Sequence, residues 1–463
     1  MIIPALTIES DYAAMIAEFS SNIQKLVVDP TIMNVVKVRL IDTIGCMRGA
    51  FDKKAVVNAR QTALKFSTTS PNSTGATVVG SGEHLTVEAA AFVNCVAARY
   101  LDFNDIYLSK EAVHPSDNIP AAMALAQALG STGAQLLAAL ATGYEVHCRL
   151  ADAVSTRAGR WDNVILGAIA SSVMAGSLLR LTAEQQIHAI NIAASGNTAL
   201  MQTRIGSLSM WKAAAAAYAA RAGIFAAISA YGGMSGPALA LNGSHGLFKQ
   251  VTGLPVEGIF DFPIQSFHLI DTHLKAWSSQ YFTQTAISAA LDIRTLIDLE
   301  KIKKITVSTF EFGRVAAADS PDKWLPKTRE TADHSMPYCV AVALHDGSVN
   351  VASFDESALR RPEIIKILEC LEVEVNPDYT ASYPNKVPTG ILIEQTDGRV
   401  IDVAIDFPLG HSKKPMSDEE VAIKFFDLSG TSDQMSRLLN DLNNLFNLDG
   451  ENTSQLIHRS VIS

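Results

Sequence analysis

Residues 101 to 118, LDFNDIYLSKEAVHPSDN, gather Asp102, Asp105, His114, Ser116 and Asp117 directly after the apolar run VEAAAFVNCVAARY. Carboxylates beside an imidazole are the groups of proton transfer, because histidine titrates near neutrality. Asp102 and Asp105 are three apart, the spacing of one helix face. Pro115 forces an extended residue at His114, after which Ser116 or Asp117 can cap the segment NIPAAMALAQAL. Asp, Asn and Ser also belong at helix ends for ordinary structural reasons. Capping therefore competes with chemistry for these residues, and explains His114 less readily than the rest.

Three more clusters carry charge or titratable groups. In TRIGSLSMWKAAAAAYAARAG, Lys212 begins a helix that is otherwise small and apolar. A cation there opposes the helix dipole and invites an anionic partner. Arg204 and Arg221 add to the same positive region, with a structural ion pair the competing role for Arg221. HLIDTHLKAWSSQYF holds His268, His273 and Lys275, with surface positions the simpler expectation for the two histidines. TRETADHSMPYCVAVAL places Asp333, His334 and Tyr338 just before an apolar run. Four such clusters at element ends, split between two sequence textures, are what a cleft between domains would need.

The elements that must position them follow from periodicity. From about Asn34 to Ala230 the chain is a succession of alanine-rich, helix-favouring segments with Gly, Ser, Thr or Asn at their joints. Thr132 with Gln135 and Thr182 with Gln185 read as capping boxes. Such small side chains predict close helix packing, with alanine faces buried inside or at a subunit contact. After about Gly258 the texture changes. KKITVSTFEF alternates Ile305, Val307 and Thr309 on one face, CVAVALHDGSVNVASF turns at Asp346-Gly347, and GILIEQTDGRVIDVAIDF forms a hairpin at Asp397-Gly398. The helix QTAISAALDIRTLID precedes these strands. Ser417 and Glu420 form a third capping box in KPMSDEEVAIKFFDL, where the chain returns to helix. The expectation is a mainly α protein with an α+β second domain: a large all-helical domain from 1–262 and 407–463, and a smaller α+β lid domain at 263–406.

Composition narrows the function. The chain has 463 residues and a formal net charge of −10, so no global field recruits nucleic acid or an anionic membrane. Five cysteines lie tens of residues apart without a CxxC or CxxH pair, which argues against a zinc or iron–sulfur site built from a local motif. The start MIIPALTIESDYAAMIAEF meets acidic residues early and does not read as a signal peptide. Arg221 closes the longest apolar stretch short of the roughly 20 residues of a membrane span. A reducing cytoplasm is the expected compartment.

Four segments, LDFNDIYLSKEAVHPSDN, SMWKAAAAAYAARAGIFAA, RETADHSMPYCVAVAL and KPMSDEEVAIKF, together resemble the signature segments of the MmgE/PrpD family, in order and over nearly the whole chain. That family's members dehydrate 2-methylcitrate, decarboxylate cis-aconitate or epimerise iminodisuccinate. The resemblance implies a helical domain with an α+β lid, a homodimer, and a cleft that works without metal or organic cofactor. It matches Asp102, His114, Lys212, Lys275 and Tyr338 to residues lining that cleft. The Asp102 to His114 distance resembles the dehydratase pattern. Three positions depart from the family: Ile106 where Thr is common, Asn163 where His follows Asp, and Phe282 where His is frequent. The pocket should be correspondingly more apolar.

The resemblance implies loss of a group next to a carboxylate, the feature the family's reactions share, in which negative charge builds on carbon and needs fixed cations. The expected function is dehydration of 2-methylcitrate, or a close analogue, to 2-methyl-cis-aconitate. His114 would do acid–base work, Asp102 would hold its tautomer or act as base, Lys212 would stabilise the developing anion, and Tyr338 would orient a carboxylate or protonate the leaving hydroxyl. Lys275, Arg204, Ser116, Asp105 and His334 would bind the small di- or tricarboxylate. A decarboxylase or epimerase on the same framework, and a non-catalytic polycarboxylate binder, are the alternatives.

Overall fold

A computed structural model describes residues 11–461 apart from 27–28, 68, 70–73, 207, 254–257 and 262. The first ten residues of the chain start, and position 262 at the expected first boundary, lie outside them. Helices of eight residues or more are numbered here in chain order, as are the four strands of the larger sheet.

The first body is built from α1 (Tyr12–Ile23), α2 (Pro30–Ala50), α3 (Lys54–Phe66), α4 (Val87–Tyr100), α5 (Ile119–Leu129), α6 (Gly133–Ala153), α7 (Val164–Leu179), α8 (Ala183–Gly196) and α9 (Trp211–Tyr231). The capping boxes at Thr132 and Thr182 form as expected and start α6 and α8. Small residues then let the helices approach. A Cβ on Gly223 of α9 would lie 2.5 Å from the Ala168 carbonyl and from Ser171 Cβ of α7.

The α9 helix has 21 residues and is long and apolar enough by composition to cross a membrane. The apolar stretch is thus longer than its sequence suggested, because Arg221 lies on an outer face and does not end it. Packing against α4, α7 and α8 makes α9 a core helix instead.

The second body holds α10 (Gln284–Arg294), β1 (Ile302–Thr309), α11 (Glu311–Ala318), α12 (Met336–Asp346), α13 (Pro362–Glu369), β2 (Leu371–Val375), β3 (Thr389–Gln395) and β4 (Val400–Ile405). The strand order is β2-β1-β3-β4, with β1 and β2 parallel and the other pairs antiparallel. Alternation in β1 buries Ile305, Val307 and Thr309. The β3–β4 hairpin turns through Gly398 at φ +88°, where glycine alone carries no steric penalty.

One expectation fails here. Residues 336–346 are a helix, and Asp346-Gly347 is its end, with Gly347 left-handed at φ +68°. MPYCVAVALHD is buried on nearly every side, so it lacks the periodicity that separates a buried helix from a strand. The parallel edge strand LEVEV was not foreseen.

The chain then returns to the first body through α14 (Asp418–Ser429), α15 (Asp433–Asn443) and α16 (Gly450–Val461). The Ser417–Glu420 capping box starts α14. Helices α14 and α15 pack on α2, and α16 packs on α5 and α2.

Candidate active site

Helix α4 ends at Tyr100, and two residues later Asp102 takes a left-handed backbone, φ +48°. Such a conformation costs a residue with a side chain roughly 1–2 kcal/mol, so the surroundings must hold it. Asp102 and Asp105 consequently do not share a helix face.

Three cations converge on the buried Asp102 carboxylate. Arg99 Nη1, from the last turn of α4, donates to Oδ1. Lys275 Nζ donates to Oδ1 at 2.7 Å and to the Asp102 carbonyl at 2.7 Å. Lys212 Nζ, at the second residue of α9, lies 3.2 Å from Oδ2.

The Lys275 loop is aligned by paired backbone bonds between Ile106 and His273, at 2.9 and 2.7 Å. The second body supplies Asp333 and His334, which follow the short helical turn Arg329–Ala332. Lys212 Nζ is 3.3 Å from Asp333 Oδ1, His334 Nδ1 is 2.6 Å from the same oxygen, and His334 Nε2 is 3.2 Å from Asp102 Oδ2. Both lysines are 1% exposed.

Burial by itself would raise the Asp102 pKa, but Arg99, Lys212 and Lys275 outweigh it and hold the carboxyl well below the usual range. Burial pushes Lys275 down to about 8 against the pull of Asp102. Burial, then Lys212, pushes His334 down to about 4, although Asp333 and Asp102 favour its charged form.

His114 joins the site differently from the sequence expectation. Its Nε2 lies 2.9 Å from Arg99 Nη2 and its Nδ1 2.6 Å from the Asp105 carbonyl. Arginine only donates, so Nε2 accepts and Nδ1 carries the proton. Burial, with Arg99 and Lys275, holds the imidazole neutral, its pKa well below the usual value. Arg99 therefore stands between Asp102 and His114 and leaves His114 no free lone pair.

The other expected residues divide between bracing and absence. Asp105 accepts from Tyr144 Oη at 2.8 Å and from the Ser116 amide at 3.1 Å, and Asn104 donates to Ser116 Oγ at 2.9 Å. Asn104 also donates to Asp117 Oδ1 at 2.8 Å, so Ser116 and Asp117 are tied inward instead of capping α5, which has no side-chain cap bond. Arg204 bonds Asp162 at 3.0 Å and the Lys212 carbonyl at 3.1 Å, so it braces the start of α9. Tyr338 donates to the Ser353 carbonyl at 2.8 Å inside the second body's core and does not reach the cluster.

His273 is buried, its ring 4.0 Å from that of His411, which overturns the surface expectation. His268 bonds Asp152 at 2.5 Å. Arg221 lies over the Tyr218 ring on the exposed face of α9. Sequence reading missed Arg99; its signal was a charge in a buried helix turn three residues before Asp102.

The departures from the family pattern also find places. Ile106 and Phe282 share one apolar cluster with Tyr281, Phe310 and Val387 across the two bodies. Asn163 stays polar: it donates to the Ala112 carbonyl at 2.5 Å and lines a cavity of about 10 Å³ beside His114, a volume that admits about one water.

Asp102, Asp333 and His334 present donor atoms within 4.8 Å of one another. The ammonium of Lys212 already sits between the two carboxylates, and Arg99 and Lys275 add two more positive charges. This donor set therefore suits anionic partners better than a metal ion.

Two family models match the chain. The MmgE/PrpD N-terminal domain matches residues 14–257 and the MmgE/PrpD C-terminal domain matches residues 277–440. The chain belongs to the MmgE/PrpD family. Among its relatives, 2-methylcitrate dehydratase of Escherichia coli (strain K12) is 28% identical over 404 residues, 81% of each chain. Cis-aconitate decarboxylase of Homo sapiens is 29% identical over 357 residues, 73% of this chain and 71% of the other. Probable 2-methylcitrate dehydratase of Saccharomyces cerevisiae is 25% identical over 422 residues, 82% and 78% of the two. The MmgE/PrpD C-terminal match runs on into α14 and α15, which in space pack on α2.

Proposed function

We propose that this MmgE/PrpD protein is a lyase for a small tricarboxylate, dehydrating 2-methylcitrate or a close analogue to 2-methyl-cis-aconitate by acid–base catalysis. The observation that carries the reading is the convergence of Arg99, Lys212 and Lys275 on one buried carboxylate, with the Asp333–His334 pair alongside. Asp102 occupies the place of an anion, and a substrate carboxylate would take over its cations once the second body moves aside.

In the reaction a proton leaves the carbon next to a carboxylate, the carbon–oxygen bond breaks, and hydroxide departs as water after accepting a proton. Lys212 and Lys275 neutralise the substrate and the charge growing on its enolate. His334, backed by Asp333, is the proton carrier this arrangement supports. Lys275 is a second group able to lose a proton near neutrality, given its pKa of about 8. His114 fixes Arg99. Division of the chain at 263 and 406 into helical part and lid is part of the same proposal.

The resemblance to a decarboxylase favours one other reading, loss of carbon dioxide from cis-aconitate on the same cations. Incubating the protein with 2-methylcitrate, citrate, cis-aconitate and amino-dicarboxylates, followed by proton NMR in deuterated water, separates the outcomes. The alkene product supports dehydration, released carbon dioxide supports decarboxylation, and an inverted centre supports epimerisation. Calorimetric uptake of a tricarboxylate that is recovered unchanged would leave only a binding protein.

The homodimer remains a proposal, with a surface that fits it. Trp211, Tyr218 and Phe225 recur every seven residues along α9 and are 50, 46 and 51% exposed, a stripe of aromatic rings that a second copy would cover.

A further inference from the structure

The fourth family segment, KPMSDEEVAIKF, contributes no residue to the cluster, yet its Lys424 lies directly behind it. Lys424 is on α14, 6% exposed. Its Nζ donates to the Phe103 carbonyl at 2.8 Å and to the Lys275 carbonyl at 2.9 Å. It is also 2.6 Å from Asp42 Oδ1 of α2 and 3.8 Å from the Phe103 ring centroid. Phe103 directly follows the left-handed Asp102, and Lys275 is the residue that grips the Asp102 carboxylate. One ammonium thus joins the backbone on both sides of the Asp102–Lys275 bond.

No backbone amide donates to either carbonyl among the described residues. Without Lys424 both carbonyls would be buried and unpaired, and each such group costs roughly 1–3 kcal/mol. The loops would have to rearrange to satisfy them. Asp42 supplies the negative charge that lets a lysine sit here, since an unpaired buried ammonium is strongly disfavoured.

We propose that Lys424, neutralised by Asp42, is a positioning residue that fixes the Asp102 turn against Lys275 and so sets the geometry of the cation cluster. The inference deepens the reading of the cluster as the reaction centre and rests on it for the rate measurement. Its structural half stands independently.

The test removes both charges together, in Lys424→Met/Asp42→Asn, because either single change strands a buried charge and risks unfolding. A cooperative thermal transition and native far-ultraviolet circular dichroism establish that the double variant folds; should it not fold, Lys424→Arg takes its place, retaining the charge and shifting the donors. Hydrogen exchange by mass spectrometry is read in peptides covering 99–108 and 272–280. The expected result is at least tenfold faster exchange in both segments, with α1 and α8 unchanged.

Alongside this, kcat on the best carboxylate of the panel should fall roughly 10- to 100-fold, and an alkaline limb of the pH profile, expected where Lys275 loses its proton at about pH 8, should move from its wild-type position. Unchanged exchange in both segments overturns the proposal whatever the rate does. Faster exchange with wild-type kcat and an unmoved pH limb overturns it too, since the order Lys424 imposes would then not matter to the reaction. If the wild-type protein turns over no carboxylate, the exchange measurement alone decides, and failure of the dehydratase reading stays separate.

Discussion

Asp102 combines two costs, a left-handed backbone and a fully desolvated charge, and three cations offset both. The balance makes its neighbours sensitive to pH in a calculable direction. Lys275 has its pKa lowered to about 8, so its ammonium persists below that pH and is lost above it. If the ammonium clamps substrate, kcat/KM falls as pH rises through about 8, and Lys275→Arg, whose guanidinium stays charged, removes that limb even where it lowers the rate. A limb that keeps its place in Lys275→Arg would assign the titration to another group.

His334 and His114 make contrasting predictions at the same scale. His334→Asn should lower kcat by about 10²–10⁴, the usual contribution of a proton-transferring side chain. His114→Asn should act chiefly by releasing Arg99, raising KM more than it lowers kcat. The reverse pattern in steady-state kinetics would restore His114 as the proton carrier.

Among the elements, α9 does the most to build the site, since its first turn delivers Lys212 and its length is held by close approach to α7. Gly223 marks that approach. Gly223→Ala would force a methyl into the Ala168 carbonyl and Ser171, and overpacking of this kind costs about 1–3 kcal/mol. The thermal midpoint should drop by several degrees, with activity at low temperature largely kept if Lys212 stays in register; an unchanged midpoint would mean that the two helices separate without strain. The capping boxes of α6, α8 and α14 were legible because their bonds join residues three apart. Helix α12 was misread because its surroundings are apolar on all sides and the local pattern carried no period.

The whole molecule closes the cluster between two bodies: Arg99, Asp102, His114, Lys212 and Lys275 come from the first body and the segment after it, Asp333 and His334 from the sheet-bearing part. The apolar seam of Ile106, Phe282, Phe310 and Val387 lies across the same junction. With both lysines 1% exposed, the proposed substrate could reach them only if this junction opened. Assembly is testable separately. Tyr218→Glu places a charge in the middle of the exposed aromatic stripe of α9, and sedimentation should then show monomers where the unaltered chain forms dimers. A monomeric wild-type chain would remove the dimer from the account.

Local chemistry in the sequence determined the helical texture, three capping boxes, strand β1 and the β3–β4 hairpin, because each depends on periodicity or on bonds between near neighbours. It also singled out Asp102, Lys212, Lys275 and His334 among clusters of charged or titratable residues at element ends. Only the tertiary structure decided which charges meet. Lys275 and Asp102 are 173 residues apart in the chain, and no local pattern could show that Arg99 separates Asp102 from His114, that Tyr338 points into the second core, or that Lys424 stands behind both loops. The physical reason is desolvation: a buried charge must find an opposite charge or a hydrogen-bond partner wherever the fold provides one, and that partner is fixed by packing rather than by position in the sequence.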